Sequence, residues 1–212
     1  MSGKIPETVF GYRITHYKNI PFILRNGLYC SSSPRIDASY VNIGKTDIIN
    51  KRERKQIDVS PYGRIHDYVS FYFGPKSPML YSISKGNSNT TCQQTDVIYI
   101  VISLPKIIEA GLKFVFTTGQ AIMQLSTQHN DIKELDQIAW DIIQDKYWFD
   151  DPPEYPDRAR RRMAELLIHK HIPVNLIAGI GVMNEYMEKE ISKMVNEVGL
   201  TLQVKTFRHW YY

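Results

Sequence analysis

The 212-residue sequence has little cysteine and no long apolar run, and both shortages exclude whole classes of protein. Only Cys30 and Cys92 occur, too far apart for a CxxC pair, so neither a disulfide framework nor a cysteine-based zinc site is expected. The longest apolar run, at 97–104, has the length of a strand and not the roughly 20 residues of a membrane span. The N-terminus lacks the apolar stretch of a signal peptide. We therefore expect a protein of the reducing cytoplasm with no membrane contact.

Several motifs that mark common enzyme classes are also missing. The sequence contains no GxGxxG, no phosphate-loop lysine motif, no HExxH and no GxSxG. Dinucleotide reduction, ATP hydrolysis, zincin proteolysis and serine hydrolysis therefore lack their usual sequence marks. His169 and His171 form an H-x-H pair that would share one face of a strand. Because spacing reveals no third ligand, we read them as ordinary histidines and predict no metal site.

The composition is that of a folded globular chain, with 43% hydrophobic and 23% charged residues. Its length fits a single domain over residues 1–212. Short apolar runs interleave with short helical patterns, which predicts an α+β fold. The predicted strands are 8–15, 67–73, 79–84, 96–104, 114–117, 165–169, 177–182 and 203–207. The predicted helices are 17–28, 47–57, 105–111, 132–143 and 184–198.

The net charge of +4 is small, but the basic residues are clustered at 45–55 and at 158–162. Tyrosines stand near both clusters, at positions 40, 62, 68, 147 and 155. Such basic segments can line a groove for a nucleic-acid backbone while aromatic rings stack on bases. They can equally be solvated surface runs. Composition leaves both interpretations open.

A carboxylate that enters an apolar segment is the clearest indication of chemistry. Glu165 opens the run ELLI, and four arginines, Arg158, Arg160, Arg161 and Arg162, stand just before it. Burying an unpaired charge is prohibitive, so Glu165 is expected to be paired, hydrogen-bonded or facing a cavity. The arginines, which we expect in a loop, can meet an anionic substrate. The alternative is a solvated turn before a core strand, with Glu165 at its rim.

His16 ends the first predicted strand, a position where a side chain can face a ligand, although a lone histidine is more often structural. The residues around it resemble the DarT family, single-domain toxins that use NAD to ADP-ribosylate bases of single-stranded DNA. The resemblance continues along nearly the whole chain in the family's order. Its segments are YRITH (12–16), NIPFILRNGL (19–28), NIG (42–44), KRER (51–54), DYV (67–69), SPMLY (77–81), AELL (164–167), IGVM (180–183) and WYY (210–212).

The resemblance implies an ADP-ribosyltransferase fold, a split and mostly antiparallel β core with flanking helices and NAD in the cleft. It assigns catalysis to Glu165 and to Arg52, with Arg54 as the alternative arginine. The residues that it implies for NAD are Thr15, His16, Asn19, Gly27, Leu28 and Arg52.

The resemblance also implies the acceptor and the partners. The acceptor would be a thymine in single-stranded DNA, bound by the segment that precedes the catalytic glutamate. The DNA-binding residues would be Tyr155, Arg158, Arg160, Arg161, Arg162 and Met79. NAD would be consumed as a substrate without a metal. The implied partner is a macrodomain antitoxin, and a monomer is the default expectation.

Two other classes of function remain open. One is a transferase of the same fold that modifies guanine, protein or an RNA 2′-phosphate. The other is a non-catalytic nucleic-acid-binding module, in which Glu165 merely begins a strand. A same-fold transferase would require Glu165 and ignore thymine, whereas a binding module would show salt-dependent DNA binding that is insensitive to NAD.

Overall fold

The computed structural model describes residues 3–86 and 92–212. The strands are β1 Phe10–His16, β2 Leu28–Tyr29, β3 Tyr68–Tyr72, β4 Val97–Ser103, β5 Phe114–Thr117, β6 Gln128–His129, β7 Glu165–His169, β8 His171–Ile172, β9 Ile177–Val182 and β10 Val204–Thr206. The α-helices are α1 Ile20–Asn26, α2 Thr46–Arg54, α3 Pro78–Ser84, α4 Leu104–Glu109, α5 Trp140–Gln144, α6 Arg158–Arg162 and α7 Glu185–Glu197. Turns of 3₁₀ helix lie at Tyr17–Asn19, Ile65–Asp67, Gln94–Asp96, Ile132–Gln137, Val174–Leu176 and Arg208–Trp210.

Eight strands form one sheet in the order β10-β9-β4-β1-β3-β7-β5-β6, and β2 pairs with β8 in a small second sheet. Every pairing is antiparallel except that of β10 with β9. The sheet is split in the middle. Strand β1 pairs with β4 along its whole length, but with β3 only where Tyr12 lies opposite Tyr72. The predicted α+β fold with a split, mostly antiparallel core is confirmed.

The sheet is covered by helices, and the apolar core lies between them. Strand β4, VIYIVIS, is buried at all positions but one, which explains why its sequence is continuously apolar and does not alternate. Helix α7 packs Met187, Ile191 and Val195 into the core at intervals of four residues, as an amphipathic helix does. In the described part of the chain, no helix combines the length and the apolar character that a membrane crossing requires.

Three sequence predictions of secondary structure were wrong. The predicted helix 132–143 is divided into a 3₁₀ turn at Ile132–Gln137 and the helix α5 at Trp140–Gln144. Residues 79–84, predicted as a strand, lie in α3 because Ser77 caps the helix, accepting a bond from the amide of Leu80 at 3.2 Å, and Pro78 fits the first turn. The arginine run 158–162, expected in a loop, forms the short helix α6.

The histidine pair also departs from the prediction. Lys170 adopts a left-handed conformation with φ 65° and so interrupts the strand. His169 therefore ends β7 while His171 begins β8. His171 contacts the carbonyl oxygen of Asn26 through Nε2 at 2.9 Å and stacks on Tyr29 with a centroid distance of 4.2 Å. The two histidines therefore do not share one face of a strand, and His169 lies against Tyr68 with a centroid distance of 5.0 Å.

Candidate active site

A cavity of about 610 Å³ opens where the sheet splits. Strands β1 and β3 form its floor, and α1, α2 and α3 contribute to its walls. Ile14, Phe71 and Ile83 make much of this lining apolar, while Arg52 and Glu165 supply charge. A cavity of this size and character, mostly apolar with a few polar groups converging, is typical of a small-molecule site.

The charged centre of the cavity is a bidentate ion pair between Arg52 and Glu165. Arg52 Nη1 donates to Glu165 Oε1 at 3.0 Å, and Nη2 donates to Oε2 at 2.8 Å. The carboxylate is only 3% exposed and the arginine side chain 20% exposed. Removing one partner from such a buried pair is costly, about 3–5 kcal/mol, because the other charge loses its compensation. Glu165 is therefore paired and faces a cavity, and the alternative of a solvated rim carboxylate is wrong.

Electrostatics in this centre favour a cationic Arg52. Burial alone would lower the pKa of the guanidinium, but the charge of Glu165 and its hydrogen bond outweigh burial and raise that pKa above its ordinary value. Tyr72, opposite Glu165 in the β3–β7 pair, has its hydroxyl pKa raised by burial and then by the glutamate charge. Tyr72 therefore stays protonated and can donate a hydrogen bond.

Both members of the pair are held by further bonds. Ser70 Oγ accepts from Arg52 Nη2 at 2.6 Å, and the amide of Ala121 donates to Glu165 Oε1 at 3.0 Å. The amide of Glu165 donates to Thr117 Oγ1 at 3.3 Å, and that hydroxyl donates to the carbonyl of Gly119 at 2.7 Å. Sequence reasoning missed Ser70 and Ala121, because neither residue type nor spacing indicates a contact with a residue so distant in the chain.

Arg13 is a second cationic group at this cavity that the sequence analysis did not single out. It lines the cavity from β1, and its Nη1 donates to the carbonyl oxygen of Ser70 at 3.0 Å. Ser70 thus contacts Arg52 through its side chain and Arg13 through its backbone. The two guanidinium groups are thereby fixed near each other on the cavity floor. Arg13 lies in the YRITH segment, but residue type alone does not distinguish it from a surface arginine.

The residues predicted to bind NAD divide into two groups. Gly27 and Leu28 line the large cavity with Arg52. Gly27 has φ +76°, and a Cβ there would lie 2.2 Å from the carbonyl oxygen of Ile172, so this position requires glycine. Their contact with NAD stays a prediction.

Thr15, His16 and Asn19 lie beside the cavity and are buried. Asn19 Nδ2 donates to Thr15 Oγ1 at 2.9 Å and to the carbonyl of Val41 at 3.0 Å, and the amide of Val41 donates to Asn19 Oδ1 at 2.8 Å. Asn19 thus fixes the segment that carries Asn42, which lines the large cavity. His16 and Asn42 also line a smaller cavity of about 240 Å³.

His16 has the features of a neutral imidazole at a strand end. Its Nδ1 accepts from the amide of Lys18 at 3.2 Å, so the proton lies on Nε2. Burial lowers its pKa, and the charge of Asp96 only partly offsets this. His16, Cys92 and Asp96 each have one possible metal-ligand atom, and these three atoms lie within 4.8 Å of one another. That the protein needs no metal stays a prediction.

The residues predicted to bind DNA have different environments. Met79 lines the cavity from α3. Asp157 holds Arg160 through bonds of 2.7 and 2.6 Å, and it also accepts a bond from the exposed Arg161 at 3.1 Å. Arg158 lies over the ring of Tyr155 at 4.0 Å.

Arg162 is buried, with 6% exposure, and the prediction that it binds DNA is wrong. Its guanidinium donates to the carbonyls of Ile142, Ile143, Asp145 and Pro75. These bonds occupy the donors that a phosphate would require, and they give Arg162 a structural role.

Comparison with known proteins identifies the class and the family. The sequence model described as "ssDNA thymidine ADP-ribosyltransferase, DarT" matches residues 12–212. A DNA ADP-ribosyl transferase of Escherichia coli O127:H6 is 35% identical, covering 98% of this chain and 95% of that protein. One from Thermus sp. strain 2.9 is 34% identical, covering all of both chains.

Solved structures agree with this result. Thermus sp. 2.9 DarT in complex with ADP-ribosylated single-stranded DNA superposes with a TM-score of 0.91 at 32% identity, covering 100% of both chains. The same protein in complex with NAD⁺ gives a TM-score of 0.86 at 31% identity, covering 99% of this chain and 100% of that chain. The fold is thus that of an ADP-ribosyltransferase. The chain belongs to the DarT family, and the family predicted from the sequence is confirmed.

Proposed function

We propose that this protein transfers ADP-ribose from NAD to a thymine base in single-stranded DNA, with Glu165 and Arg52 as its catalytic residues. The observation that carries the proposal is the buried Arg52–Glu165 pair facing a cavity of small-molecule size. The Thermus DarT complexes with NAD⁺ and with ADP-ribosylated single-stranded DNA support both substrates, because the fold matches along the whole chain.

NAD would lie in the large cavity with its nicotinamide ribose at Glu165. Gly27 and Leu28 would contact it from the wall, and Thr15, His16 and Asn19 would fix the adjacent backbone and contact it from the side. Arg13 lines the same cavity, and its guanidinium can bind the diphosphate through paired hydrogen bonds. Arg52, whose charge is balanced by Glu165, would contact NAD beside that ion pair.

The first chemical step breaks the bond between the ribose and the nicotinamide. The bonding electrons leave with the nicotinamide, which becomes neutral, and the ribose acquires oxocarbenium character. A carboxylate can accept a hydrogen bond from a ribose hydroxyl and face the developing positive charge. It then stabilises this transition state more than the ground state. Glu165 can do this while paired with Arg52, because each carboxylate oxygen has two lone pairs.

The second step forms the bond to thymine. In a DNA strand, N3 is the thymine ring nitrogen that carries a proton, and it must lose that proton as it attacks the ribose. Glu165 can accept the proton, and Arg52 can polarise a thymine carbonyl. The reacting base must be unstacked and beside the ribose, which favours single-stranded DNA. Met79, Tyr155, Arg158, Arg160 and Arg161 would hold the strand.

Mass spectrometry of oligonucleotides incubated with NAD tests the proposal. The substrates would differ at one thymine, and Glu165→Ala would be compared with Glu190→Ala, which changes an exposed carboxylate on α7. We expect one added ADP-ribose that requires both the thymine and Glu165. Addition that follows a guanine would favour the guanine-modifying branch instead.

Two further outcomes would contradict the proposal. NAD consumption without a mass change in the DNA would favour a protein or RNA acceptor. If neither NAD nor DNA changes while the DNA binds, the chain is a binding module.

The remaining predictions concern the protein in its cell. We propose a monomer of one domain, residues 1–212, that acts as a cytoplasmic toxin and is opposed by a macrodomain antitoxin. A single peak of monomer mass in size-exclusion chromatography with light scattering would support the first part. Rescue of growth by a co-expressed macrodomain hydrolase, but not by an inactive version of it, would support the second.

A further inference from the structure

A group of four aromatic rings, of which Phe149 is exposed, lies outside the cavity. Trp148 and Phe149 stack with their ring centroids 4.0 Å apart and an interplanar angle of 25°. Tyr81 meets both edge-on at 5.4 Å, and Tyr212 meets Tyr81 at 5.1 Å. We call these four residues the aromatic patch. Trp148 is 8% exposed, but Phe149 is 50% exposed.

Half-exposed apolar side chains are common on protein surfaces, and Phe149 is one of several in the described part of this chain. Phe149 is distinguished by its stacking on a second aromatic ring. Stacking on Trp148 and the edge contact with Tyr81 hold Phe149 in one orientation while half of it faces solvent. A rigid, exposed ring is the feature on which proteins stack bases of single-stranded nucleic acids.

Two connections fix the patch relative to the proposed catalytic centre. The first is α3, which contributes Met79 and Ser82 to the cavity and Tyr81 to the patch. The second is Arg162, three residues before Glu165, which donates to the carbonyl of Asp145 at 3.1 Å and to that of Pro75 at 2.9 Å. The segment leading to Trp148 and the backbone just after β3 are therefore tied to the start of β7.

Two lysines lie beside the patch and can contact a DNA phosphate. Lys85 Nζ lies 5.4 Å from the ring centroid of Tyr81, and Lys76 Nζ lies 5.8 Å from that of Tyr212. The loop also carries acidic residues: Asp145 and Asp150 are engaged within it, whereas Asp151 and Glu154 are exposed. Asp150 accepts from the amide of Ala159 at 2.8 Å, and Asp145 lies 3.7 Å from Arg158. A phosphate next to a stacked base would thus find cations at the edge of the patch.

We propose that Phe149, supported by Trp148 and Tyr81, stacks on a base that flanks the modified one in the same DNA strand. The inference rests on the proposed function for its ligand, and it adds a binding site for a neighbouring nucleotide outside the cavity. Stacking tolerates any base, so this site would anchor the strand and leave base choice to the cavity.

Binding without chemistry provides the first test. Fluorescence anisotropy would measure the affinity of a labelled single-stranded oligonucleotide for Glu165→Gln, alone and combined with Phe149→Ala, Phe149→Trp or Tyr186→Ala. We expect Phe149→Ala to weaken binding roughly 5- to 150-fold, as loss of one stacked base would. Phe149→Trp should keep the affinity. Tyr186→Ala, which removes a 69% exposed ring on α7, should leave it unchanged.

An abasic scan then locates the stacked base. The same oligonucleotide would carry a single abasic site at each position in turn. At one position, the abasic site should strongly weaken binding to Glu165→Gln. The same abasic site should have little further effect on binding to the Glu165→Gln protein that also carries Phe149→Ala. Equal losses in both proteins at every position, or unchanged affinity in Phe149→Ala, would overturn the inference.

Activity separates this inference from the proposed function. In the wild-type background, Phe149→Ala should raise KM for the oligonucleotide and leave NAD hydrolysis without DNA unchanged. If Phe149→Ala weakens DNA binding but the wild-type protein modifies no thymine, the stacking site is supported and the proposed reaction is contradicted. If the wild type and Phe149→Ala both modify thymine with the same KM for the oligonucleotide, the proposed reaction is supported and the stacking site is contradicted.

Discussion

Two arginine-rich runs look alike in the sequence and differ sharply in the structure. The run KRERK at 51–55 ends α2, and RARRR at 158–162 forms α6. In the first, Arg52 reaches a carboxylate at the floor of a cavity. In the second, Arg162 reaches backbone carbonyls inside the protein.

The difference teaches that the acceptor, more than the arginine, decides the role. The carbonyls bound by Arg162 are fixed parts of the chain, so this residue is part of the scaffold. The carboxylate bound by Arg52 faces a cavity and keeps lone pairs for a ligand. The other arginines also differ in their surroundings: Arg54 is exposed, while Asp157 binds both the exposed Arg161 and the less exposed Arg160.

The largest expected effect is on catalysis by Arg52. Arg52→Lys keeps a positive charge beside Glu165, so the protein should fold, but an ammonium cannot reproduce the two parallel bonds. We expect ADP-ribosyl transfer to fall about a thousandfold, which corresponds to about 4 kcal/mol. Arg54→Lys is the matched control and should retain activity in the same oligonucleotide assay. Comparable losses in both variants would remove the distinction within this run.

The next effect is on stability at Arg162. Arg162→Met keeps most of the side-chain volume but leaves several buried carbonyls without their donor, which should lower the free energy of unfolding by about 3 kcal/mol. Urea denaturation followed by circular dichroism would measure it. Arg161→Met, at an exposed neighbouring position, should change stability by less than about 0.5 kcal/mol. An Arg162→Met protein of wild-type stability would show that these bonds are dispensable.

A smaller effect is expected at Ser70, which accepts from Arg52. Ser70→Ala removes one bond that orients the guanidinium, while Glu165 still holds it at two points. We expect kcat to fall about tenfold, or about 1.4 kcal/mol, with little change in the KM for NAD. Ser70→Thr, which restores a hydroxyl, should recover much of the loss. Failure of the hydroxyl to rescue would mean that Ser70 acts through packing.

The smallest expected effect is on the pH dependence of stability, and it concerns the ion pair between Asp157 and Arg160 at the start of α6. The hydrogen bond from Arg160 is the main reason that the pKa of Asp157 lies below its ordinary value of 3.8. Stabilisation by this pair is therefore complete above pH 3.8 and is lost as the pH falls through the lower folded-state pKa. Asp157→Asn should lower stability by about 1 kcal/mol at neutral pH, and the difference from wild type should shrink below pH 4.

The matched control for this pH test is the exposed Asp151, whose change to Asn should have little effect on stability at either pH. Chemical denaturation of the three proteins at a series of pH values would measure the differences. A difference between wild type and Asp157→Asn that stays constant as the pH falls would contradict the assigned ion pair.

Much of the fold could be predicted because many elements carry a clear local pattern. The predicted strands 114–117, 165–169 and 177–182 match the observed bounds, since each is a short apolar run bounded by a turn. Helix α7 was also predicted, because its buried residues recur at helical spacing. Residues 79–84 failed because six residues of mixed character do not distinguish a strand from a helix, and the cap at Ser77 decided the outcome.

The site was predicted less completely, for a physical reason. Glu165 could be singled out because a lone carboxylate in an apolar run is costly. Its partner Arg52 lies 113 positions away in the sequence, and only the family resemblance indicated it. The burial of Arg162 and the exposure of Phe149 depend on contacts with distant segments, which no local pattern encodes.

The most direct test of this account is a double-mutant cycle on the ion pair. Single-turnover ADP-ribosylation of a thymine-containing oligonucleotide would be measured for wild type, Arg52→Lys, Glu165→Gln and the double variant, with folding checked by circular dichroism. Residues that act as one catalytic unit give losses that are far from additive. We predict that the double variant will be about as impaired as the worse single variant. Losses that multiply, or a Glu165→Gln protein that retains full activity, would contradict the claim that this pair performs the transfer.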